Sequence, residues 1–304
     1  MRNVFVVNTP FQLFTVRKII KQYCQSDENV ILSTIPNKTA PDIFHISNDL
    51  KGVLRARKLL KSIKKGINDV SFIVPHLGNL FASHFFELSK KYNRPISIYY
   101  EGVALFYDPV VVNDKAKKTR TLLGLMMGIC YKHHERLYPK ELIDMAENCY
   151  SPVDTKLLGK YNNVKIIDLF NKGEMKACNN ILVLTSDVAN DDEISKCVKS
   201  VRSAFISSEQ IVYLKPHYAL KEESINGFIE RIHGIEGVHL EVLDRTMPIE
   251  ALFDSISFGT IICQSFTSAI INMSFIYGKD ITVKVIAKET IPHDIIKELN
   301  ISID

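Results

Sequence analysis

ISIYYEGVALFYDP (residues 96–109) is the stretch from which the fold is best deduced. It opens with a short apolar run, rich in β-branched and aromatic residues, that predicts a buried strand over Ile96–Tyr100. Glu101 and Gly102 follow directly, and a carboxylate at the exit of a buried strand is costly unless something uses it. Ligands of open parallel sheets bind beyond the carboxyl ends of the strands, where Glu101 is expected. The alternative is an acid that only caps the next segment.

Strand and helix patterns alternate before this stretch. The predicted elements are strands at Val4–Val7, Val30–Ser33 and Val70–Val74, a helix opened by Thr9 as N-cap and Pro10 as first residue, and helices over 51–67 and Leu77–Lys91. Such alternation predicts βαβ units and a parallel sheet.

After Pro109 the pattern changes. A helix is predicted over Lys115–His134, then a less regular stretch to about Leu169 and a polar linker at 171–180. A second series of strands follows at Ile181–Thr185, Gln210–Leu214, Val238–Leu243, Thr260–Cys263 and Ile281–Ile286, with helices between them. We therefore predict an α/β protein of two Rossmann-like domains, residues 1–170 and 181–304, that face each other across a cleft.

Composition narrows the class of protein. With 304 residues and 46% hydrophobic residues, the chain can bury a large core and has no disorder signature. The net charge of +4 suits an anionic substrate or membrane surface. The sequence has no arginine-rich face with interleaved aromatic residues, so it does not indicate nucleic-acid binding. Six cysteines without a CxxC pair argue against zinc or disulfides and fit a reducing compartment. With no signal-peptide pattern or membrane-spanning run, we expect a soluble, cytoplasmic protein.

Polar side chains follow strands in both predicted halves. Glu101 ends a strand of the first half, whereas His217 and Ser265–Ser268 end strands of the second. The hydroxyls of Ser265, Thr267 and Ser268, with the free N–H groups of the next helix, make an anion site suited to phosphate. His217 can donate a hydrogen bond or a proton to a leaving phosphate, and Glu101 can take a proton from an incoming hydroxyl. Together they describe displacement at a carbon that bears a phosphate leaving group.

Each of these residues also has a purely structural interpretation. A hydroxyl at 265, 267 or 268 can cap the following helix, and His217 can be a packed loop residue. Glu250 is either a first-turn acid favoured by the helix dipole or a carboxylate that holds ribose hydroxyls. The shared location at strand ends is what favours the functional interpretation.

Five short motifs resemble those of the bacterial sialyltransferases of the GT-B fold, the lipooligosaccharide sialyltransferases and capsule polysialyltransferases that use CMP-sialic acid. The matching segments are Thr9-Pro10-Phe11-Gln12-Leu13, YYEGVALFYDP, Lys215-Pro216-His217, Met247-Pro248-Ile249-Glu250 and Gln264-Ser265-Phe266-Thr267-Ser268. Two departures stand out. Tyr100 replaces the first acid of an acidic pair, which leaves Glu101 as its only carboxylate, and proline precedes His217 instead of following it.

The resemblance implies an inverting, metal-independent sialyltransferase without a cofactor. Glu101 would deprotonate an acceptor hydroxyl, often on galactose of a bacterial surface polysaccharide such as lipooligosaccharide, O-antigen or capsule, and His217 would stabilise the leaving CMP. On the same resemblance, residues 1–170 would bind the acceptor and supply the base, and residues 181–304 would bind the CMP donor. The donor-binding residues would be Ser186, Lys215, Glu250, Ser265, Thr267 and Ser268. The candidates for acceptor contacts are Thr9, Gln12, His76 and Asn79, each with a structural role as the alternative.

Two other functions stay open from the sequence. One is a GT-B glycosyltransferase that uses CMP-Kdo or a UDP-sugar, and the other is a non-catalytic protein that binds a nucleotide or glycan. The basic helix 51–67 and the segment 115–134 also fit peripheral contact with an anionic inner membrane, with a solvated helix face as the alternative.

Overall fold

The chain divides into two units, Met1–Leu169 and Phe170–Asp304. The computed structural model describes residues 1–35, 43–47, 49–102, 104–107, 114–129, 131–169, 178–253, 255–277, 281–288, 293–299 and 303. Most of the predicted linker at 171–180 lies outside these residues, as does the end of the YYEGVALFYDP motif. The assignment of an acceptor role to one half and a donor role to the other stays a prediction.

The first unit is built on a seven-stranded sheet in which every neighbouring pair is parallel. Its strands, in chain order, are β1 (Arg2–Val7), β2 (Glu28–Ser33), β3 (Ile43–His45), β4 (Val70–Val74), β5 (Ile96–Tyr99), β6 (Ala146–Ser151) and β7 (Val164–Ile166). The spatial order is β3-β2-β1-β4-β5-β6-β7. Its helices are α1 (Pro10–Tyr23), α2 (Leu50–Lys65), α3 (Leu80–Tyr92), α4 (Ala104–Tyr107), α5 (Asp114–Met127) and α6 (Lys140–Met145). Because all strands are parallel, their carboxyl ends share one edge.

Local chemistry fixes where the helices of this unit begin. The Thr9 side chain accepts from the Gln12 N–H and caps α1, with Pro10 as its first residue, as predicted. Helix α3 begins at Leu80 instead of the predicted Leu77, because the Asn79 side chain accepts from two backbone N–H groups of the first turn.

Three strands and helix α6 of the first unit were not predicted. The stretch predicted to be irregular contains α6, β6 and β7, and β3 was also not predicted. These strands are short and carry no long apolar run, so their pattern is weak. The helix predicted to reach His134 ends at Met127, because Gly128 takes a φ of 75° and the Ile129 N–H bonds to the Gly124 carbonyl, as in a Schellman cap.

The second unit is a five-stranded parallel sheet in the order β10-β9-β8-β11-β12. Its strands are β8 (Ile181–Leu184), β9 (Ile211–Lys215), β10 (His239–Val242), β11 (Thr260–Ser265) and β12 (Thr282–Ala287). Its helices are α7 (Asp191–Ala204), α8 (Glu222–His233), α9 (Ser268–Tyr277) and α10 (His293–Leu299), and Ile249–Ala251 form a 3-10 turn. All five strands were predicted to within two residues.

Both sheets are covered by apolar side chains. In the first unit, Val4–Val7 are fully buried, and the rings of Phe72 and Phe85 stack with centroids 4.8 Å apart. In the second, Ile181 and Val183 of β8 pack with Phe228 of α8 in one core cluster. Burial on both faces explains why these central strands read as continuous apolar runs. No helix in the described part of the chain is long and apolar enough to cross a membrane.

Candidate active site

Glu101 lies at the carboxyl edge of the first sheet, two residues after the end of β5, with its side chain about 10% exposed. Its Oε2 accepts a hydrogen bond from Gln12 Nε2 at 2.8 Å, and His76 Nε2, 3.1 Å away, also donates to the carboxylate. Its Oε1 accepts from the Tyr138 hydroxyl at 3.0 Å. Gly102 follows with a φ of 125°, so the turn after the carboxylate does require glycine. The carboxylate is thus held by three side chains from separate parts of the unit.

His76 is oriented by its own backbone. The Gly78 N–H donates to His76 Nδ1 at 2.8 Å, so the ring carries its proton on Nε2 and donates that proton to Glu101. A Cβ on Gly78 would lie 2.8 Å from the His76 ring and 2.7 Å from Leu137. Glycine at 78 therefore lets the imidazole fold back against the turn and point at the carboxylate.

A second layer of hydrogen bonds joins the tips of three strands. The Gln12 Oε1 accepts from the Asn8 N–H at 2.7 Å, which fixes the amide so that its NH₂ faces Glu101. The Asn8 Oδ1 accepts from the Thr34 hydroxyl at 3.0 Å and from Asn79 Nδ2 at 2.7 Å. The donors to Glu101 are therefore themselves held in place.

The protonation of this cluster follows from its contacts. Burial raises the pKa of Glu101, but the interaction with His76 and the hydrogen bonds from His76, Tyr138 and Gln12 outweigh it, so the pKa is lower than usual. Burial, with the negative charge of Glu101, raises the pKa of Tyr138 well above its ordinary value. At neutral pH the site is an ionised carboxylate facing a neutral phenol. A carboxylate has about four lone-pair positions, so three donors leave room for one more.

The four residues proposed for acceptor contacts fall into two groups. Gln12 and His76 contact the Glu101 carboxylate directly. Thr9 and Asn79 cap α1 and α3, so their side-chain oxygens already have partners. Their predicted role toward an acceptor stays a prediction, and their structural role is clear.

In the second unit, the polar side chains also gather at the carboxyl edge. The hydroxyls of Ser186, after β8, and Ser265, the last residue of β11, lie 2.5 Å apart. The Ser186 N–H donates to Gln264 Oε1 at 3.0 Å, and Gln264 Nε2 donates to Glu193 at 3.0 Å. The Thr267 hydroxyl accepts a hydrogen bond from the Ala269 N–H in the first turn of α9, which begins at Ser268. The predicted serine and threonine motif is thus assembled beside β8.

His217 is placed by two backbone hydrogen bonds. Its N–H donates to the Thr185 hydroxyl at 2.8 Å, and its Nδ1 accepts from the Ala219 N–H at 3.3 Å. The proton is therefore on Nε2. Burial, helped by the charge of Lys215 and opposed by Asp187, lowers the pKa of His217. A neutral imidazole can donate a hydrogen bond to a phosphate oxygen but is not a strong proton donor.

Lys215 and Glu250 are buried near the same edge. Lys215 ends β9, and burial lowers its pKa to about 8 against the opposing charges of Glu250 and Asp244. Glu250 accepts a 2.6 Å hydrogen bond from Asn272 Nδ2 of α9. Burial nevertheless raises the pKa of Glu250, although Asn272 and Lys215 oppose the shift. One oxygen of Glu250 is therefore anchored to the protein, and a ribose contact stays a prediction.

A neighbouring cavity of about 340 Å³ is lined by residues that follow β8 and by the start of α8. Three carboxylates, Asp187, Asp191 and Glu223, line it against the single cation Lys221. Because like charges repel, this cavity is unsuited to a phosphate. The serine and lysine side of the edge is the better anion site.

Sequence reasoning missed several residues of these clusters. Tyr138 lies in a stretch without a regular pattern, 37 positions from the carboxylate to which it donates. Asn272 faces inward from α9, and Thr185 lies one residue beyond β8. Gln264 belongs to a recognised motif but was given no role. Only Gln264 carried a signal in the sequence.

Glu101 and His217 belong to different units. Each lies at the carboxyl edge of its own sheet. The cleft that would bring them together remains a prediction.

No protein-family profile matches the chain, and no curated protein sequence does. Solved structures are similar over nearly the whole chain. A Listeria monocytogenes protein assigned as a UDP-N-acetylglucosamine 2-epimerase has a TM-score of 0.54 and 11% identity, covering 94% of this chain and 78% of that one. The UDP-GlcNAc 2-epimerase of Neisseria meningitidis bound to UDP-GlcNAc has a TM-score of 0.52 and 10% identity, covering 98% and 85%. A UGT transferase of Siraitia grosvenorii in complex with UDP has a TM-score of 0.51 and 9% identity, covering 94% and 81%.

These likenesses confirm the expected fold class. The chain has the GT-B fold of two Rossmann-like domains, which sugar-nucleotide enzymes share. The comparisons do not support the narrower resemblance to sialyltransferases. At identities of 9% to 11% they show the fold alone.

Proposed function

We propose that this protein is a glycosyltransferase that moves a sugar from a nucleotide-sugar donor to a hydroxyl of an acceptor glycan, with inversion at the anomeric carbon. The observation that carries the proposal is the buried Glu101 carboxylate, kept ionised at the carboxyl edge of a Rossmann-like sheet by Gln12, His76 and Tyr138. Active sites are where such shifted, well-held acids gather.

In the proposed reaction, Glu101 accepts the proton of the acceptor hydroxyl through its open lone-pair position. The acceptor oxygen forms a bond to the anomeric carbon while the bond from that carbon to the phosphate oxygen breaks. The electron pair leaves with the nucleotide phosphate. A single displacement of this kind inverts the anomeric configuration.

The leaving phosphate would bind at the second unit's edge. His217 Nε2–H, the hydroxyls of Ser186 and Ser265, and the Lys215 ammonium are the groups there that stabilise negative charge. Thr267 and Ser268 at the start of α9 would add to them. Glu250 would accept hydrogen bonds from the ribose. The mechanism requires the two edges to face each other, and this arrangement is part of the proposal.

Two donors have specific support. The UDP and UDP-GlcNAc in the similar structures favour a UDP-sugar. The order of the five sequence motifs favours CMP-sialic acid, with galactose-terminated acceptors. The proposed chemistry is the same for both.

The test is a donor screen with the full chain. UDP-GlcNAc, UDP-glucose, CMP-Kdo and CMP-sialic acid are incubated with galactose-terminated acceptors, with and without EDTA, and nucleotide release and product mass are measured. We expect one donor to give acceptor-dependent release and a product heavier by one sugar, also in EDTA. Conversion of UDP-GlcNAc to an isomer without acceptor would contradict transfer, as would nucleotide binding without turnover of any donor.

A further inference from the structure

Helix α2 carries an outward stripe that changes from apolar to basic along its length. Leu50, Leu54, Arg57, Lys61 and Lys64 recur at intervals of four and three residues, which places them on one face. None of the five is buried, and Leu50 and Leu54 are 67% and 58% exposed. A helix that only needs a solvated face has no use for exposed leucines at this spacing.

Helix α5 adds a second exposed apolar stripe. Leu122, Leu125 and Met126 are 62%, 71% and 45% exposed, and Lys118 precedes them by one turn on the same face. The two helices contact each other, and a Cβ on Gly128, just after α5, would lie 3.8 Å from Arg57 Nε. Together α2 and α5 hold five of the thirteen exposed large apolar side chains in the described part of the chain. Exposed apolar side chains on two neighbouring helices are typical of interaction surfaces.

A basic cavity of about 250 Å³ lies where α2, α3 and the end of α5 meet. Arg57, Lys61 and Lys64 line it, and none of its eight lining residues is acidic. Burial, with the charge of Lys64, lowers the pKa of His84 in its wall to about 4, so that residue is neutral. Among the described residues, no carboxylate forms an ion pair with the three cations. The cavity therefore suits a phosphate group.

We propose that the surface formed by α2 and α5 docks on a bilayer that contains anionic phospholipids. The exposed leucines and Met126 would enter the interface, and Arg57, Lys61 and Lys64 would bind lipid phosphate. Charge complementarity favours a lipid surface over a protein partner. Lysines beside exposed leucines suit an anionic lipid surface, whereas protein interfaces are depleted in lysine.

The surface formed by α2 and α5 also lies where docking would bring a membrane-anchored substrate close to the candidate active site of the first unit. Helix α2 follows β3, so Leu50 and Leu54 lie toward the carboxyl edge that also carries Glu101. A substrate anchored in the bilayer would be presented to that edge of the first unit. The docking itself does not depend on the proposed reaction.

The experiment is flotation of the full chain with vesicles of phosphatidylcholine alone or mixed with phosphatidylglycerol. We expect binding to the mixed vesicles at low salt, weaker binding as salt rises, and little binding to the neutral vesicles. The double variant Lys61→Glu with Lys64→Glu should weaken binding about tenfold or more. The double variant Leu122→Ser with Leu125→Ser should weaken it by a similar factor, which a purely electrostatic contact would not show.

Matched controls lie on the second unit. Lys199→Glu with Arg202→Glu reverses two exposed charges of α7, and Ile206→Ser removes an 82% exposed apolar side chain. These controls should bind like the wild type, and circular dichroism with thermal unfolding verifies that every variant is folded. Absence of vesicle binding at low salt would overturn the proposal and favour a protein partner. Equal losses in the controls would also overturn it. No enzymatic assay enters the test, so its failure leaves the proposed function intact.

Discussion

Glu101 and Glu250 are two buried glutamates at the carboxyl edges of two parallel sheets, and their pKa values shift in opposite directions. Glu101 receives hydrogen bonds from three side chains, and its pKa is lowered. Glu250 receives one side-chain hydrogen bond, from Asn272, and burial raises its pKa. Burial is the largest single influence on both. The charge of His76 and the three donors outweigh burial at Glu101, whereas the contacts of Glu250 do not.

The two glutamates are suited to two different chemical roles. A general base must be deprotonated at the working pH and must have a lone pair to spare, and Glu101 meets both conditions. Glu250 has one oxygen anchored by Asn272, which suits it to accept hydrogen bonds from a ligand through the other oxygen. The two units thus place chemically different carboxylates at equivalent edges.

The largest expected effect comes from Glu101→Gln. Removing the base should lower the turnover number by about 10²- to 10⁴-fold, while nucleotide affinity stays unchanged because the proposed donor site lies in the other unit. Initial rates and calorimetric nucleotide titration measure the two effects. Glu147→Gln, an exposed glutamate of β6, is the control and should keep full activity. A Glu101→Gln enzyme with near wild-type turnover would assign the carboxylate a structural role only.

Tyr138→Phe removes one of the three donors to Glu101. We expect a loss of about 1–3 kcal/mol in the free energy of unfolding at neutral pH, because Oε1 stays buried and loses its donor. The pKa of Glu101 should rise, which moves the acid limb of the activity profile to higher pH. Urea denaturation and pH–rate profiles measure both shifts. Tyr92→Phe, at a partly exposed tyrosine of α3, is the matched control, and an equal loss there would contradict the explanation.

The lowered pKa of Lys215 predicts that donor binding depends on pH. Its pKa of about 8 means that the ammonium is present below that pH and lost above it. If the charge binds the donor phosphate, nucleotide affinity should weaken about tenfold between pH 7 and 9, as the protonated fraction falls. Calorimetry at the two pH values measures the change. Lys215→Arg keeps its charge and should flatten the dependence, whereas a flat profile in the wild type would exclude Lys215 from the phosphate site.

The smallest effect is expected from Glu250→Gln. Because the folded-state pKa of Glu250 is raised, its ionised form costs stability, and this cost grows as pH rises through that pKa. The amide removes the charge and its oxygen still accepts from Asn272. The free energy of unfolding at neutral pH should therefore stay equal or rise by up to about 1 kcal/mol. Urea denaturation at neutral pH gives the value, and a loss larger than that would show that Glu250 is a well-stabilised carboxylate.

The sequence was sufficient for the central part of the fold. Buried parallel strands such as β1 and β8 contain continuous apolar runs, and alternation with helices specified a parallel sheet in each half. Edge strands were harder, because β3 and β7 have three residues each and are only partly buried. Their pairing depends on neighbours in space, which one sequence does not display.

The residues of the candidate site also divide into those that the sequence pattern could predict and those that it could not. The positions of Glu101 and His217 at the carboxyl edges could be predicted because each lies two residues beyond a strand with a strong apolar pattern. Tyr138 could not, because its hydroxyl reaches the carboxylate from an irregular segment. Thr9 was predicted as the N-cap of α1, whereas the cap role of Asn79 was not predicted, and contact of either residue with an acceptor stays a prediction.

The two buried glutamates differ in pKa because His76 and three donors stabilise the Glu101 carboxylate, whereas Asn272 and Lys215 do not offset burial at Glu250. Carboxyl ¹³C NMR titration of the intact chain tests this directly, with Glu101→Gln and Glu250→Gln used to assign the two signals. We predict a titration midpoint below the ordinary glutamate value of about 4.5 for Glu101 and above it for Glu250. The opposite order, or two midpoints raised alike by burial, would contradict the account.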